Sequence, residues 1–264
     1  MEETVTPLLV VLLTLAALGP AAAAVRTMPL EYGDGGNTFD GYLAYDDSTD
    51  VRRPGVLVVH EWWGLTEHPK RSARRLAEQG YIALAVDMYG KGRVTDSAQQ
   101  AGQWAGEVRG NPAALLSRFA AAMEALKARP LTDPARIGAI GYCFGGTVVL
   151  EVARQGAALA GVVSFHGGLA SSVPEEKRNL RARVLVCHGA DDPAVAWEQV
   201  TAFREEMQRA KADWQLDVYG GAVHAFTNPD ANSPTARYNE RAARRSWEAM
   251  TRFLRECLGP APNG

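Results

Sequence analysis

A chain of 264 residues with 47% hydrophobic and 22% charged residues fits one large α/β domain better than two small ones. Its formal net charge of −2 draws it neither to nucleic acid nor to an acidic membrane surface. Of its three cysteines, Cys143 falls in a turn, Cys187 in a strand pattern and Cys257 in a helix pattern, so no disulfide is expected.

The chain begins with an apolar run, Pro7 to Leu18, followed by Gly19-Pro20 and the alanines 21 to 24. Small residues at that distance suit a signal peptidase, so residues 1–24 read as a signal peptide, cleaved near Ala24. Glu2 and Glu3 stand where positive charges are usual, and a retained anchor is the alternative, since the run is near the lower limit of about 18 residues for a span. Export to the periplasm or outside the cell is the expected localisation, with a cytoplasmic location if the segment is not a signal. Residues 25–264 form the domain proper.

Met28 to Tyr32 and Thr38 to Tyr45 flank Asp34-Gly35-Gly36-Asn37, an edge hairpin. Gly55 to His60 is a continuous apolar strand of the kind buried on both faces, ending in the loop Glu61-Trp62-Trp63-Gly64. A helix over Ser72–Gln79, closed by Gly80, leads to the strand Tyr81–Val86, a βαβ pattern that implies a parallel sheet with right-handed crossovers. Thr95 to Gly110 reads as one helix lying over the top of the sheet, and Asn111-Pro112 caps a second, Ala113 to Ala128. Further strands are expected at Gly161–Phe165, Val184–His188 and Trp214–Tyr219, and helices at Ala196–Ala210 and Thr235–Leu258.

Between Asp133-Pro134 and these later elements, the strand Ile137–Gly141 runs into Tyr142-Cys143-Phe144-Gly145-Gly146. The pattern reads as a nucleophile elbow, in which a sharp strand-to-helix bend pushes the Cys143 side chain outward and needs glycine on both sides. A buried structural cysteine between packed glycines fits the same residues. The rest of the chain favours the elbow. In an open parallel sheet, function gathers at the carboxyl ends of strands, where Glu61, Cys143, Asp192 and His224 all stand. His224 lies in the loop after the last strand and Asp192 in the loop after the preceding one, the order nucleophile, acid, histidine of α/β-hydrolases. Such a histidine takes the thiol proton and later gives it to a leaving group, while a carboxylate behind it fixes its tautomer. Asp192 is chosen over Asp191, which is one residue too close to the strand. The backbone N–H groups of Phe144 and Trp62 stand where this fold places an oxyanion hole. His60, His166 and His188 sit at strand ends among apolar neighbours and read as structural, and His68 as a helix-entry residue. No spacing among these residues supports a metal site.

Val59-His60-Glu61-Trp62-Trp63-Gly64, Val86-Asp87-Met88-Tyr89-Gly90, the elbow, His188 to Pro193 and Val223-His224-Ala225-Phe226 together resemble the dienelactone hydrolase family. The resemblance implies an α/β-hydrolase fold, with a mostly parallel central sheet, helices on both faces and an N-terminal edge hairpin. It further implies a Cys143–His224–Asp192 triad, no metal or organic cofactor, and hydrolysis of a carboxylic ester or lactone through an acyl-enzyme thioester. The family uses a glutamate at the position of Glu61 to contact the resting thiol and help ionise it, because a free thiol has a pKa of about 8.5. Family members acting on dienelactone hold its carboxylate with two arginines; here those positions are Lys91, with Arg93 close by, and the uncharged Asn228. Lysine lacks the bidentate fork of arginine, so dienelactone itself is not the expected substrate. Trp62, Trp63, Tyr89, Phe144 and Phe226 are expected to line an aromatic pocket.

The resulting expectation is a monomeric ester or lactone hydrolase acting on a small molecule, with no nucleic-acid partner and no membrane contact beyond the N-terminal segment. A broad-specificity esterase or acyl-transfer enzyme is the alternative within enzymes. Outside them stands a non-catalytic small-molecule-binding or thiol-redox domain, since an exposed low-pKa thiol is prone to oxidation.

Overall fold

The computed structural model describes Met1 and residues 25–261; the rest of the expected signal peptide and the last three residues lie outside the described residues. Strand β3 (Arg53–Val59) explains the unbroken apolar run in the sequence, because every residue in it is buried. Val56 and Val58 belong to one layer of side chains and Leu57 and Val59 to the other. Alternate residues of a strand point to opposite faces, so residues 54–59, covered on both sides, must be apolar, and the buried Arg53 before them donates to the Asp46 carbonyl at 2.6 Å.

The sheet has eight strands in the order β1-β2-β4-β3-β5-β6-β7-β8. The hairpin β1 (Val25–Gly33) and β2 (Thr38–Asp46) is antiparallel and joins β4 (Ile82–Val86) antiparallel. From β4 onward, β3, β5 (Thr132–Tyr142), β6 (Gly161–Phe165), β7 (Arg183–Gly189) and β8 (Trp214–Tyr219) all pair in parallel. One face is covered by α1 (Glu67–Glu78) and α6 (Glu240–Leu258), through Leu76, Met250 and Leu254. The other is covered by α2 (Ala98–Arg109), α3 (Pro112–Lys127), α4 (Phe144–Arg154) and α5 (Trp197–Arg209), through Val108, Phe119, Val149 and Phe203. This is the α/β-hydrolase arrangement, with the antiparallel hairpin at one edge.

Two helix starts differ from the sequence expectation by five residues, and that of α2 by three, at Ala98 and not Thr95, because Ser97 caps it by accepting from the Gln100 N–H. Helix α1 begins at Glu67, five residues before Ser72, with Pro69 in its first turn, where a missing N–H breaks no helical bond. Helix α6 begins at Glu240, not Thr235, because Asn239 caps it by accepting from the Ala242 N–H at 3.1 Å. Residues 235–238 are used instead to brace the loop after β8: Ala236 bridges His224, and the Arg237 N–H donates to the His224 carbonyl at 3.0 Å. Among the described residues no helix is long and apolar enough to cross a membrane.

Candidate active site

Cys143 has φ 52° and ψ −113°, a left-handed backbone between β5 and α4. A non-glycine residue held there costs about 1–3 kcal/mol and persists only when its surroundings enforce it. A Cβ at Gly141 would collide with the Gly145 carbonyl, and a Cβ at Gly145 with the carbonyls of Val59 and His60. The two glycines therefore let β5, the bend and β3 approach one another. Helix α4 starts immediately after the cysteine, which sets the positive end of its dipole beside the sulfur. The neighbouring N–H of Phe144, and that of Trp62 across the cleft, have no hydrogen-bond acceptor among the described residues.

His224 and Asp192 reach this bend from the loops after β8 and β7. The Asp192 carboxylate is fully buried and accepts from His224 Nδ1 at 2.8 Å, while its other oxygen accepts from the Ala194 N–H at 2.8 Å. Asp191 is exposed, so Asp192 is the acid that faces the imidazole. Burial lowers the His224 pKa, but the hydrogen bonds and charges of Asp192 and Cys143 outweigh it and raise the value to about 10. With Nδ1 committed to Asp192, Nε2 is the atom left for the sulfur. Such a pair can keep its proton on the imidazole and leave a thiolate.

Glu61, at the end of β3, is 1% exposed. Its carboxylate accepts from Asn228 Nδ2 at 2.7 Å and lies 3.4 Å from His68 Nδ1. Its hydrogen bond thus goes to Asn228 and not to the Cys143 thiol, beside which it lines the same cleft.

That cleft has a volume of about 940 Å³, and Glu61, Cys143, Phe144, His224 and Asn228 open onto it together with Trp62 and Trp63. The two tryptophans meet edge to face at 4.8 Å. Four other residues expected in the lining lie elsewhere. Tyr89 is buried behind the wall, its hydroxyl donating to the Trp62 carbonyl at 3.0 Å. Phe226 is in the core against Tyr219 and His166. Lys91 turns to the edge hairpin, 3.0 Å from Glu31, and Arg93 sits over the Trp104 ring and beside Glu107. The hairpin and α2 supply these partners, which sequence distance conceals. Conversely, Arg109 lines the cleft from the end of α2; its only sequence signal is a basic residue in the last turn of a helix expected over the sheet. Among the described residues no group of His, Cys, Asp and Glu is arranged to hold a metal.

Residues 39–258 match the model of the dienelactone hydrolase family. The chain is similar to a dienelactone hydrolase-like promiscuous phosphotriesterase from metagenomic libraries, with 41% identity and a TM-score of 0.85 over 89% of this chain and 100% of that one. The structure titled m3DLH is likewise 41% identical, with a TM-score of 0.85 over 89% of this chain and 99% of its own. Protein usf of Aquifex pyrophilus is 27% identical over 234 residues, covering 87% of this chain and 98% of that protein.

Proposed function

Since this chain belongs to the dienelactone hydrolase family, we propose that it hydrolyses a carboxylic ester or lactone through a thioester on Cys143. The observation that carries the reading is the arrangement at the bend, where His224 stands between a buried Asp192 and the sulfur with its pKa raised to about 10. The thiolate attacks the carbonyl carbon, and the resulting oxyanion takes hydrogen bonds from the Phe144 and Trp62 N–H groups. As the tetrahedral intermediate collapses, His224 gives its proton to the departing alkoxide and the acyl group stays on sulfur. Water then attacks the thioester, losing a proton to His224, and collapse releases the acid and restores the thiolate beside the imidazolium. Glu61 is a second base on the cleft: its carboxylate, engaged by Asn228 at 2.7 Å, can accept the proton of a resting thiol once that hydrogen bond is given up.

The sign of the pH dependence follows from His224. As pH rises through about 10, the imidazolium loses its proton and the leaving group loses its acid, so turnover falls. Asp192→Asn removes the first of the contacts that raise this value, and the alkaline limb of the kcat profile is expected to move to lower pH, with a lower plateau. An alkaline limb that stays in place would remove Asp192 from this role.

Charge narrows the substrate. Apart from His224, Arg109 is the one cationic side chain on the cleft among the described residues, against the carboxylates of Glu61, Asp96 and Asp230. A neutral ester or lactone suits this balance better than an acid. The experiment is to compare kcat/KM for matched neutral and carboxylate-bearing esters and lactones. The neutral member is expected to be favoured by about tenfold or more, the equivalent of about 1.4 kcal/mol, and Arg109→Gln is expected to widen the ratio. A preference for the acid would overturn the assignment. The metagenomic relative titled a promiscuous phosphotriesterase favours a second reading, a neutral phosphotriester as substrate, and such a compound belongs in the same assay.

A further inference from the structure

Of the buried histidines that the chemistry above leaves unused, His166 is bonded to both the Cys143 backbone and the loop of His224. His166 follows β6, is 1% exposed, and has φ 41°, a left-handed backbone uncommon for residues other than glycine. Its own N–H donates to the Cys187 carbonyl at 2.9 Å, which fixes the main chain to β7. The ring then makes two hydrogen bonds in opposite directions. Nδ1 accepts from the Cys143 N–H at 3.2 Å, a donor it shares with the Phe165 carbonyl at 3.0 Å, and Nε2 meets the Thr227 hydroxyl at 2.8 Å. Because a backbone N–H can only donate, Nδ1 carries the lone pair and Nε2 the proton, so the ring donates to Thr227. The same ring lies edge to face with His224 at 5.1 Å and with Phe226 at 5.2 Å.

We propose that His166 is a positioning residue that ties the His224 loop to the nucleophile, bridging the Cys143 backbone and the Thr227 side chain through one imidazole. Cys143 and His224 arrive from distant parts of the chain, and each sits outside a regular strand or helix. A shift of about 1 Å between such groups costs on the order of a hundredfold in rate. Thr227 is three residues beyond His224, so a contact there sets where the loop stands relative to the sulfur. Burial, followed by the nearby charges of His224 and His68, lowers the His166 pKa well below its usual value. The bridge therefore keeps its tautomer while His224 gains and loses its proton beside it. The inference rests on the reading of Cys143 and His224 as the reacting pair.

The test uses the full chain with a small activated ester, 4-nitrophenyl acetate, and four variants beside a Cys143→Ala control. Thr227→Val keeps the shape of the side chain and removes only the far end of the bridge. It is expected to lower kcat by about tenfold with KM changed less than about threefold, while Thr227→Ser, which keeps the hydroxyl, restores kcat. His166→Leu cuts both ends and is expected to lower kcat by about a hundredfold. The double variant should be no slower than His166→Leu alone, because two parts of one bridge do not add. If His166→Leu does not fold, the Thr227→Val and Thr227→Ser pair decides the matter. Wild-type kcat in Thr227→Val, or additive losses in the double variant, overturns the bridge while an inactive Cys143→Ala leaves the catalytic reading standing. An active Cys143→Ala removes both.

Discussion

Cys143→Ala is expected to lower turnover of a small activated ester by at least about a thousandfold, while leaving the fold unchanged by circular dichroism and thermal melting. Removing one member of a nucleophile, base and acid set typically leaves only what the oxyanion donors and binding supply. A thousandfold corresponds to about 4 kcal/mol of transition-state stabilisation. The substitution should be silent structurally for a specific reason. The left-handed backbone at this position is imposed by the packing of Gly141 and Gly145 against β3 and α4, and alanine adds no atom that cysteine lacks. Cys143→Ser should also be slow, because without a thiolate His224 must remove the hydroxyl proton during attack, from a geometry set for the longer C–S bond. Turnover near the wild-type rate in the alanine variant would leave the cleft without its nucleophile and favour the small-molecule-binding or thiol-redox reading.

The largest expected loss of stability lies behind the site, at Arg154. Its side chain is 1% exposed at the end of α4 and grips Glu206 of α5 with two nitrogens at 2.9 and 2.8 Å, Glu151 at 2.9 Å and the Leu169 carbonyl at 2.7 Å. Arg154→Leu leaves the two carboxylates in the core, with Arg178 at 2.9 Å from Glu206 as the remaining cation. Breaking a buried pair from one side costs about 3–5 kcal/mol, largely because the orphaned charges stay behind. Urea denaturation should record that loss. Adding Glu151→Gln and Glu206→Gln should return part of it, since the amides carry no charge. A loss below about 1 kcal/mol in Arg154→Leu would mean that water reaches these groups. The cluster also bears on the cleft, because Leu169 adjoins Gly168, whose carbonyl accepts from Thr147 of α4 at 3.3 Å.

How much of this was legible depended on how local the cause was. The strands β4, β6 and β7 are apparent to within a residue or two, because burial on both faces writes an apolar run into an inner strand of a parallel sheet, whereas β8, a half-exposed edge strand, shows through its alternating apolar residues. The elbow is legible for a different reason: its glycines answer a backbone collision at the bend itself. Asp192 over Asp191 also follows from counting residues beyond a strand. Pro69 conceals the start of α1, since proline reads as a breaker unless its place in the first turn is known. Residues 235–238 look helical in composition yet are recruited to hold the His224 loop, a contact that exists only after folding.

The sequence by itself determined the class of fold, the order of the elements and the placing of Cys143, His224 and Asp192 at the carboxyl ends of the strands. Each of those follows from hydrophobic period, turn chemistry and the handedness of crossovers, which act over short stretches of chain. Only the tertiary structure decided what each polar side chain is paired with. Lys91 and Arg93, expected from the sequence near the substrate, lie instead beside Glu31, Trp104 and Glu107 outside the cleft. Arg109 stands on the cleft wall only because α2 packs beside the bend. Asn228 occupies Glu61, and His166 joins Cys143 to Thr227 across residues far apart in the chain. The physical reason is that hydrogen bonds and ion pairs act at about 3 Å, and which side chains come that close is fixed by how the layers pack.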